Sequence, residues 1–445
     1  MSIKSLLMPS VTAFLLSPAR LKKQHDKAEV LRRQQNLPHQ IHFFHQVDDP
    51  YSLLAACSLP LLMQHYDIEI IPHIVGPVAA SAAPEREKLL AYSRKDAQVL
   101  STYFKHDFID QATQPSPQII RRANQQLAAA ISDACFTELV EPISRACWQG
   151  YELDVNLASA DDTARIIAKG EALRDQWGHY LGATFYYGGE WYWGLDRLHH
   201  LERRLQALGA LRSPTLPKSV GQQSGAVLFA PPVELQTPHP VHHAPPIEFF
   251  FSLRSPYSAI VAPRVAALAR NTGGQVNLRF VLPMVMRGLP VPKIKRMYIV
   301  RDTAREAYWR GIPFGRLNDP VGRPTERGLA LIPLAERQGC GMAYVLSFMQ
   351  GVWSEGIDAG SDRGLRKIAE RAGINWADAQ DALADEGWRQ RAEANRQAMF
   401  ELGLWGVPSF QFGDITTWGQ DRLWVVEKAL MAYSKPVTDD KLAPA

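Results

Sequence analysis

An internal duplication constrains the fold of this chain more than any other feature of its sequence. Residues 41–58 align with residues 247–264 at an offset of 206, with seven identities in eighteen positions. Both stretches read I-x-F-F and then P-Y-S. Further landmarks recur in the same order: Tyr92 with Tyr298, Asp96 with Asp302, Trp148 with Trp353, and 181–198 with 406–423. This order predicts two tandem copies of one structural unit.

Each copy has the same order of predicted elements. In the second copy, an apolar run at residues 247–251 predicts a strand that leads into a helix beginning at Pro256. Residues 275–283 predict a second strand, which a long helical region follows. A hairpin at 408–419 and a final helix close the copy. The order predicts an α/β fold with two tandem thioredoxin-like domains, each with a helical insertion.

The predicted domain boundaries follow from the two copies. We expect an N-terminal helical extension at 1–35, a first domain at 36–211, a proline-rich linker at 212–245, a second domain at 246–436 and a tail at 437–445. The first twenty residues leave two interpretations open. They resemble a secretory signal peptide, and they are also typical of an amphipathic helix that packs on the body or touches a membrane surface.

Composition and cysteine usage exclude several classes of function. The formal charge is +4 over 445 residues, and Lys and Arg are scattered beyond the first 35 residues, so no nucleic-acid-binding surface is predicted. The four cysteines form neither a C-x-x-C motif nor a zinc-ligand spacing, which predicts no metal site and favours a reducing, cytoplasmic location. No apolar run reaches about 18 residues, so no transmembrane helix is predicted.

The motif S-P-Y-S at residues 255–258 stands where a thioredoxin-like protein would carry C-x-x-C. Two hydroxyls cannot exchange a disulfide. Ser255 immediately precedes a predicted helix, whose first N–H groups and dipole favour a nearby anion such as a thiolate. A serine hydroxyl there could donate a hydrogen bond to the sulfur and lower the pKa of the thiol. The competing interpretation is an ordinary helix cap followed by proline.

Six motifs occur in order within residues 246–435: S-P-Y-S, K-x-x-Y-x-x-x-D, G-I-P-F, V-W-S-E-G-I, G-V-P-S-F and W-G-Q-D-R-L. With them the second copy resembles the DsbA-like, thioredoxin-fold family of 2-hydroxychromene-2-carboxylate isomerases and kappa-class glutathione transferases. The first copy matches the same pattern weakly. The resemblance implies glutathione as cofactor.

The resemblance also implies roles for individual residues. Ser255 would lie against the glutathione sulfur, and Val407, before a cis Pro408, would pair its backbone with the tripeptide. Gln420 and Asp421 would bind the γ-glutamyl end. The residues alone leave alternatives open, since Pro408 also fits a simple turn and Asp421 also fits a helix cap.

Four more residues are candidates for the substrate cleft: Tyr257, Lys295, Tyr298 and Asp302. Pairing on a helix surface explains them equally well. The family pattern usually has an asparagine before the K-x-x-Y helix, and residues 283–293 of this chain contain none.

The first copy departs from the pattern at each corresponding site position. Asp49 replaces the serine, Ala183 replaces the cis-proline and Leu195 replaces Gln420. A carboxylate beside a thiolate would raise the pKa of the thiol. The first copy is therefore predicted to be a structural or pairing domain without a thiol site. Three histidines near the lost cleft are predicted to be core or edge residues and not metal ligands: His42, His45 and His73.

The resemblance implies a glutathione-dependent isomerase or glutathione transferase that acts on a small electrophilic or aromatic-derived substrate. The two copies would form an internal pseudo-dimer. The alternatives are a non-catalytic protein that binds an extended peptide, and a relative of thiol–disulfide oxidoreductases without redox cysteines.

Overall fold

The computed structural model describes residues 3–213, 227–234 and 238–434. The chain divides into two units, which we call the N-terminal and C-terminal units. The N-terminal unit consists of Leu21–Pro232 and Val291–Tyr298. The C-terminal unit consists of Met1–Arg20, Val233–Pro290 and Ile299–Ala445.

The first half of the chain contains eight described α-helices and four strands. In chain order they are α1 (Ile3–Leu15), α2 (Pro18–Gln34), β1 (His39–His45), α3 (Pro50–His65), β2 (Ile68–Ile74), α4 (Arg86–Phe104), α5 (Pro117–Ser132), α6 (Phe136–Gln149), α7 (Ala160–Trp177), β3 (Thr184–Tyr187), β4 (Glu190–Trp193) and α8 (Leu198–Ala207).

The second half contains nine described α-helices and four strands. They are β5 (Ile247–Phe251), α9 (Pro256–Thr272), β6 (Val276–Phe280), α10 (Lys293–Trp309), α11 (Arg323–Ala330), α12 (Ile332–Arg337), α13 (Gly341–Trp353), α14 (Asp362–Arg371), α15 (Trp376–Ala382), α16 (Gly387–Glu401), β7 (Ser409–Phe412), β8 (Ile415–Trp418) and α17 (Leu423–Leu430).

The two sheets have the same topology. Their strand orders are β2-β1-β3-β4 and β6-β5-β7-β8. In chain order, the first strand of each sheet (β1 or β5) is parallel to the second (β2 or β6) and antiparallel to the third (β3 or β7). The third and fourth strands form a hairpin. Phe43 pairs with Phe185 in one sheet, and Phe249 pairs with Phe410 in the other. The repeat confirms the predicted α/β class with two thioredoxin-like units.

Strand β5 is mostly apolar because both of its faces are covered. In β5, Ile247, Phe249 and Phe251 lie in the main core of the C-terminal unit, together with apolar residues of α9 and α13. Strand alternation places Phe250 on the opposite face, where it is also buried. Burial on both faces explains why four of the five residues of this strand are apolar.

Part of the predicted linker is folded. Leu228 and Phe229 are buried in the core of the N-terminal unit, and their backbone N–H groups donate to the two carboxylate oxygens of Glu202 at 2.5 and 2.9 Å. The N-terminal unit therefore extends to Pro232, beyond the predicted domain end at residue 211. Residues 214–226 and 235–237 of the predicted linker, and the predicted tail 437–445, lie outside the described residues.

The N-terminal extension forms the helices α1 and α2. The hydroxyl oxygen of Thr12 on α1 accepts a hydrogen bond from the backbone N–H of Leu317 at 2.9 Å, within the C-terminal unit. Leu7, Val11 and Phe14 on the same helix are exposed. Among the described residues, no helix has the length and apolar character needed to cross a membrane.

Candidate functional site

Ser255 caps helix α9. Its backbone is extended, with φ −87° and ψ 116°, and its side-chain oxygen accepts a hydrogen bond from the N–H of Ser258 at 3.1 Å. Pro256 occupies the first helical position, where a missing N–H costs no hydrogen bond. The residue sequence alone dictates this geometry, and it places the hydroxyl at the positive end of a 17-residue helix.

A loop 150 residues later in the chain comes to this cap. The Val407–Pro408 peptide bond is cis, as predicted. The Ser255 hydroxyl donates to the carbonyl oxygen of Val407 at 3.4 Å, and the Pro408 carbonyl accepts from the N–H of Gly419 at 2.8 Å. The structure therefore brings together Ser255, Val407 and Pro408, which the sequence separates.

Gln420 lies in the 3-10 turn that follows β8, and its side chain is buried. Its amide nitrogen donates to the Asp421 carboxylate, and to Oε2 of Glu306 at 3.3 Å. Its amide oxygen accepts from the Arg264 guanidinium at 2.5 Å. Arg264 lies on α9, so the helix capped by Ser255 also fixes the orientation of Gln420.

Tyr257 and Asp302 are brought into direct contact. The Tyr257 hydroxyl donates to Oδ2 of Asp302 at 2.7 Å, and Arg305 donates to the other carboxylate oxygen at 2.5 Å. The N-terminal unit contains the same pair, with the Tyr51 hydroxyl donating to Asp96 at 2.8 Å. The recurrence favours the structural interpretation, in which the tyrosine ties the capped helix to its neighbour in both copies.

Lys295 and Tyr298 make their contacts within the N-terminal unit. The Lys295 ammonium donates to the carbonyl oxygen of Ala82 at 2.6 Å, and burial lowers the pKa of this lysine to about 8. The Tyr298 ring is buried and packs edge-on against the His179 ring, with 4.3 Å between the ring centroids. For both residues the cleft role stays a prediction.

Comparison with known proteins gives a match to the second copy. Residues 246–431 match the family model described as "DSBA-like thioredoxin domain". This range contains the capping serine, the cis-proline loop and Gln420. Over these residues the chain is similar to DSBA-like thioredoxin domains.

Two curated relatives are isomerases whose alignments each cover about two fifths of this chain. The 2-hydroxychromene-2-carboxylate isomerase of Pseudomonas putida is 25% identical over 192 residues, which are 41% of this chain and 93% of the relative. That of Sphingobium xenophagum is 28% identical over 200 residues, 42% of this chain and 97% of the relative. A solved 2-hydroxychromene-2-carboxylate isomerase structure is 25% identical, covers 41% of this chain and 93% of its own, and has a TM-score of 0.36.

The N-terminal counterpart of the DSBA-like site keeps the cap and changes its chemistry. The Asp49 carboxylate accepts from the N–H groups of Tyr51 and Ser52 at 3.3 and 3.1 Å, and from the Ser52 hydroxyl at 2.9 Å. Burial, with a smaller contribution from Asp48, raises the pKa of Asp49 to about 7. The Asp49 carboxyl therefore keeps its proton to a higher pH than an exposed aspartate does.

The corresponding loop of the N-terminal unit keeps one backbone hydrogen bond and lacks the proline. The Ala183 carbonyl accepts from the N–H of Gly194 at 2.8 Å, just as the Pro408 carbonyl accepts from Gly419. Ala183 is buried with a left-handed φ of 53°, and the described part of the N-terminal unit contains no cis peptide bond. Leu195, at the position of Gln420, is buried in the core.

The three histidines predicted to be core or edge residues, His42, His45 and His73, have protein partners. His42 Nδ1 and His73 Nε2 lie 2.9 Å apart, so one ring donates to the other. His45 Nε2 lies 2.9 Å from the Ser144 hydroxyl oxygen. Burial lowers the pKa of all three, to about 3 for His45 and about 4 for His73.

Sequence reasoning missed the groups around Gln420. Arg264 left a usable signal, because it is the first charged residue in the apolar start of α9. Glu306 and Arg310 left a weaker signal as a pair spaced four residues apart on a predicted helix. Glu234, which contacts Arg264, lies in the proline-rich segment and left no local signal.

Proposed function

We propose that the DSBA-like domain is a glutathione-dependent enzyme of the isomerase or transferase kind, acting on a small electrophilic or aromatic-derived substrate. The observation that carries the proposal is the Ser255 hydroxyl, held at a helix start against the Val407 carbonyl. The relationship to 2-hydroxychromene-2-carboxylate isomerases supports the reaction class.

Glutathione would supply the reactive thiol. The Ser255 hydroxyl has one proton, which points at the Val407 carbonyl over a long 3.4 Å contact. A bound thiolate is a stronger acceptor than a backbone carbonyl, because its charge strengthens the hydrogen bond. The hydroxyl would turn to the sulfur while its oxygen continues to accept from Ser258. The helix dipole of α9 would add to this stabilisation.

Glutathione, when bound, would supply a nucleophilic thiolate suited to reversible addition to a conjugated double bond, or to transfer onto an electrophile. This chain's contribution would be to hold the sulfur as an anion, through the Ser255 hydroxyl and the start of helix α9.

The remaining functional assignments belong to the same proposal. Gln420 and Asp421 would orient the γ-glutamyl end, and Val407 and Pro408 would pair with the peptide backbone. A cytoplasmic location also belongs to the proposal, because so few cysteines in so long a chain fit a reducing compartment. The internal pseudo-dimer and the cleft roles of Tyr257, Lys295, Tyr298 and Asp302 stay predictions.

A titration of the bound thiol tests the proposal. Thiolate absorbance near 240 nm, measured against pH with millimolar glutathione, gives the pKa of the bound sulfur. We expect Ser255→Ala to raise that pKa by about one pH unit, because a hydrogen bond to a charged group contributes about 1.5–3 kcal/mol. The variant should still bind glutathione.

Ser361→Ala is the matched control. Ser361 caps α14 by accepting from the N–H of Gly364 at 3.1 Å, in the same way that Ser255 caps α9. Both variants lose about 1 kcal/mol of cap stability, and only Ser255→Ala should move the thiol pKa. Absence of binding at millimolar glutathione would refute the enzyme proposal. Binding with an unchanged thiol pKa in Ser255→Ala would leave the protein as a binding module without thiol activation.

A further inference from the structure

Five side chains of the C-terminal unit form a closed ring of hydrogen bonds and ion pairs around Gln420. Its members come from four separate parts of the chain: Glu234, Arg264, Glu306, Arg310 and Gln420. The ring lies directly beside Asp421, which accepts a hydrogen bond from the Gln420 amide. Sequence patterns did not predict it.

One half of the ring runs through Arg264. Its Nε donates to Oε2 of Glu234 at 3.2 Å, and its Nη2 donates to the other oxygen of the same carboxylate. Its Nη1 donates to the side-chain oxygen of Gln420 at 2.5 Å and to the Gln420 carbonyl at 2.9 Å. The guanidinium thus holds Glu234 with one edge and Gln420 with the other.

The other half closes through Glu306 and Arg310. The Gln420 amide nitrogen donates to Oε2 of Glu306 at 3.3 Å. Nε of Arg310 lies 3.7 Å from that same oxygen, and Nη1 of Arg310 lies 3.6 Å from Oε2 of Glu234. Every charged member therefore contacts an opposite charge within the ring.

The ring is buried and its formal charges balance. The side chains of Arg264, Glu234, Arg310 and Glu306 are 10, 8, 9 and 1% exposed. Burial by itself raises the pKa of Glu234, but Arg264 and Arg310 together bring it below its usual value. Removing one member of such a cluster leaves an uncompensated buried charge, so the members hold one another in place.

The geometry has a consequence for Gln420 in particular. An amide side chain presents an acceptor on one side and two donor hydrogens on the other. Because Arg264 binds the oxygen, the nitrogen must face Asp421 and Glu306. If Arg264 were released, the amide could turn over and place its oxygen against a carboxylate.

We infer that this ring positions Gln420 and Asp421 for the α-amino-acid end of the thiol cofactor, and that Glu234 is a positioning residue for that site. The ligand class is a thiol that carries a free amino-acid head group. The inference rests on the proposed function and extends it to the segment between the two copies, since Glu234 lies in the predicted linker.

Binding of two thiols to the full chain tests the inference. Glutathione carries the γ-glutamyl head, and cysteinylglycine lacks it. Ligand-observed NMR titration measures both at millimolar concentrations. We expect Glu234→Gln to weaken glutathione binding about tenfold, the lower end of the loss seen when the orienting partner of a metal ligand is removed. Cysteinylglycine should bind equally to wild type and variant.

Two further variants make the result decisive. Glu370→Gln removes one partner of the exposed Arg366–Glu370 pair on α14 and should change neither affinity. If Glu234→Gln does not fold, the double variant Glu234→Gln/Arg264→Gln replaces it. The double variant removes the carboxylate and its guanidinium partner together, so that Arg264 does not remain as an unpaired buried charge. It should show the same selective loss of glutathione binding.

The outcomes separate the inference from the proposed function. The inference is overturned if Glu234→Gln binds glutathione as tightly as the wild type, or if it loses affinity equally for glutathione and cysteinylglycine. In either case, glutathione binding by the wild type leaves the proposed function standing. A wild type that binds neither thiol overturns both.

Discussion

Replacing Asp49 by asparagine should stabilise helix α3, and by more at high pH. The pKa of Asp49 is raised from 3.8 to about 7, chiefly by burial. The folded protein therefore binds the Asp49 proton more tightly than the unfolded chain does. Because the folded state has the higher pKa, the contribution of Asp49 to the unfolding free energy falls as pH rises from about 4 to about 7. Above that range the contribution is constant.

The magnitude follows from the difference between the two pKa values. At about 1.4 kcal/mol per pH unit, the difference between 3.8 and about 7 corresponds to roughly 4 kcal/mol at pH 8. Asparagine is also a good cap, but it has one acceptor oxygen where Asp49 uses two, for Tyr51 and for Ser52. Loss of one bond subtracts about 1 kcal/mol. We expect a net gain of about 2–4 kcal/mol at pH 8 and a smaller one at pH 5.

Hydrogen exchange measured by mass spectrometry reports this gain directly. Peptides that cover residues 50–65 give the local opening free energy of α3 at pH 5, 6, 7 and 8, after correction for the intrinsic exchange rate. Asp161→Asn, in the exposed first turn of α7, is the control and should leave α3 unaffected. We would abandon this reasoning if the wild type and Asp49→Asn differed by the same opening free energy at every pH. A lower protection of α3 in the variant at pH 8 would also refute the idea that the buried charge of Asp49 destabilises the helix.

Two further predictions concern buried hydrogen bonds outside the cap. Trp353→Phe should lower the unfolding free energy of the C-terminal unit by about 2–3 kcal/mol. The reason is that the indole N–H donates to the buried Leu253 carbonyl at 3.0 Å, which phenylalanine leaves unpaired. Chemical denaturation followed by circular dichroism measures the unfolding free energy. Glu202→Gln should speed hydrogen exchange at residues 227–232, because glutamine offers one acceptor oxygen where Glu202 offers two, for the N–H groups of Leu228 and Phe229. An unchanged exchange rate would show that Glu202 does not hold this segment.

The sequence predicted what depends on neighbouring residues. Ser255 and Asp49 cap helices because a short polar side chain before proline satisfies the first free N–H groups, whatever the rest of the fold. The repeated strands were predictable because alternation and apolar runs report which faces are covered. The cis bond before Pro408 was predictable from the family motif.

Long-range partners were not predictable from local patterns. Ser255 and Val407 are 152 residues apart, and Glu234 reaches Arg264 from a segment that looked like a free linker. Lys295 and Tyr298 matched a motif of the second copy, yet their side chains pack in the N-terminal unit, because a helix surface fits any neighbour of suitable shape and charge.

The sequence by itself determined the duplication, the α/β class and the two capped helices, one with a hydroxyl and one with a carboxylate. Those features follow from residue periodicity and from hydrogen bonds within a few positions of the chain. Only the tertiary structure decided what faces each cap and which charges pair in the ring around Gln420. Buried ion pairs form between groups that folding brings within about 4 Å, and that proximity depends on every element between them.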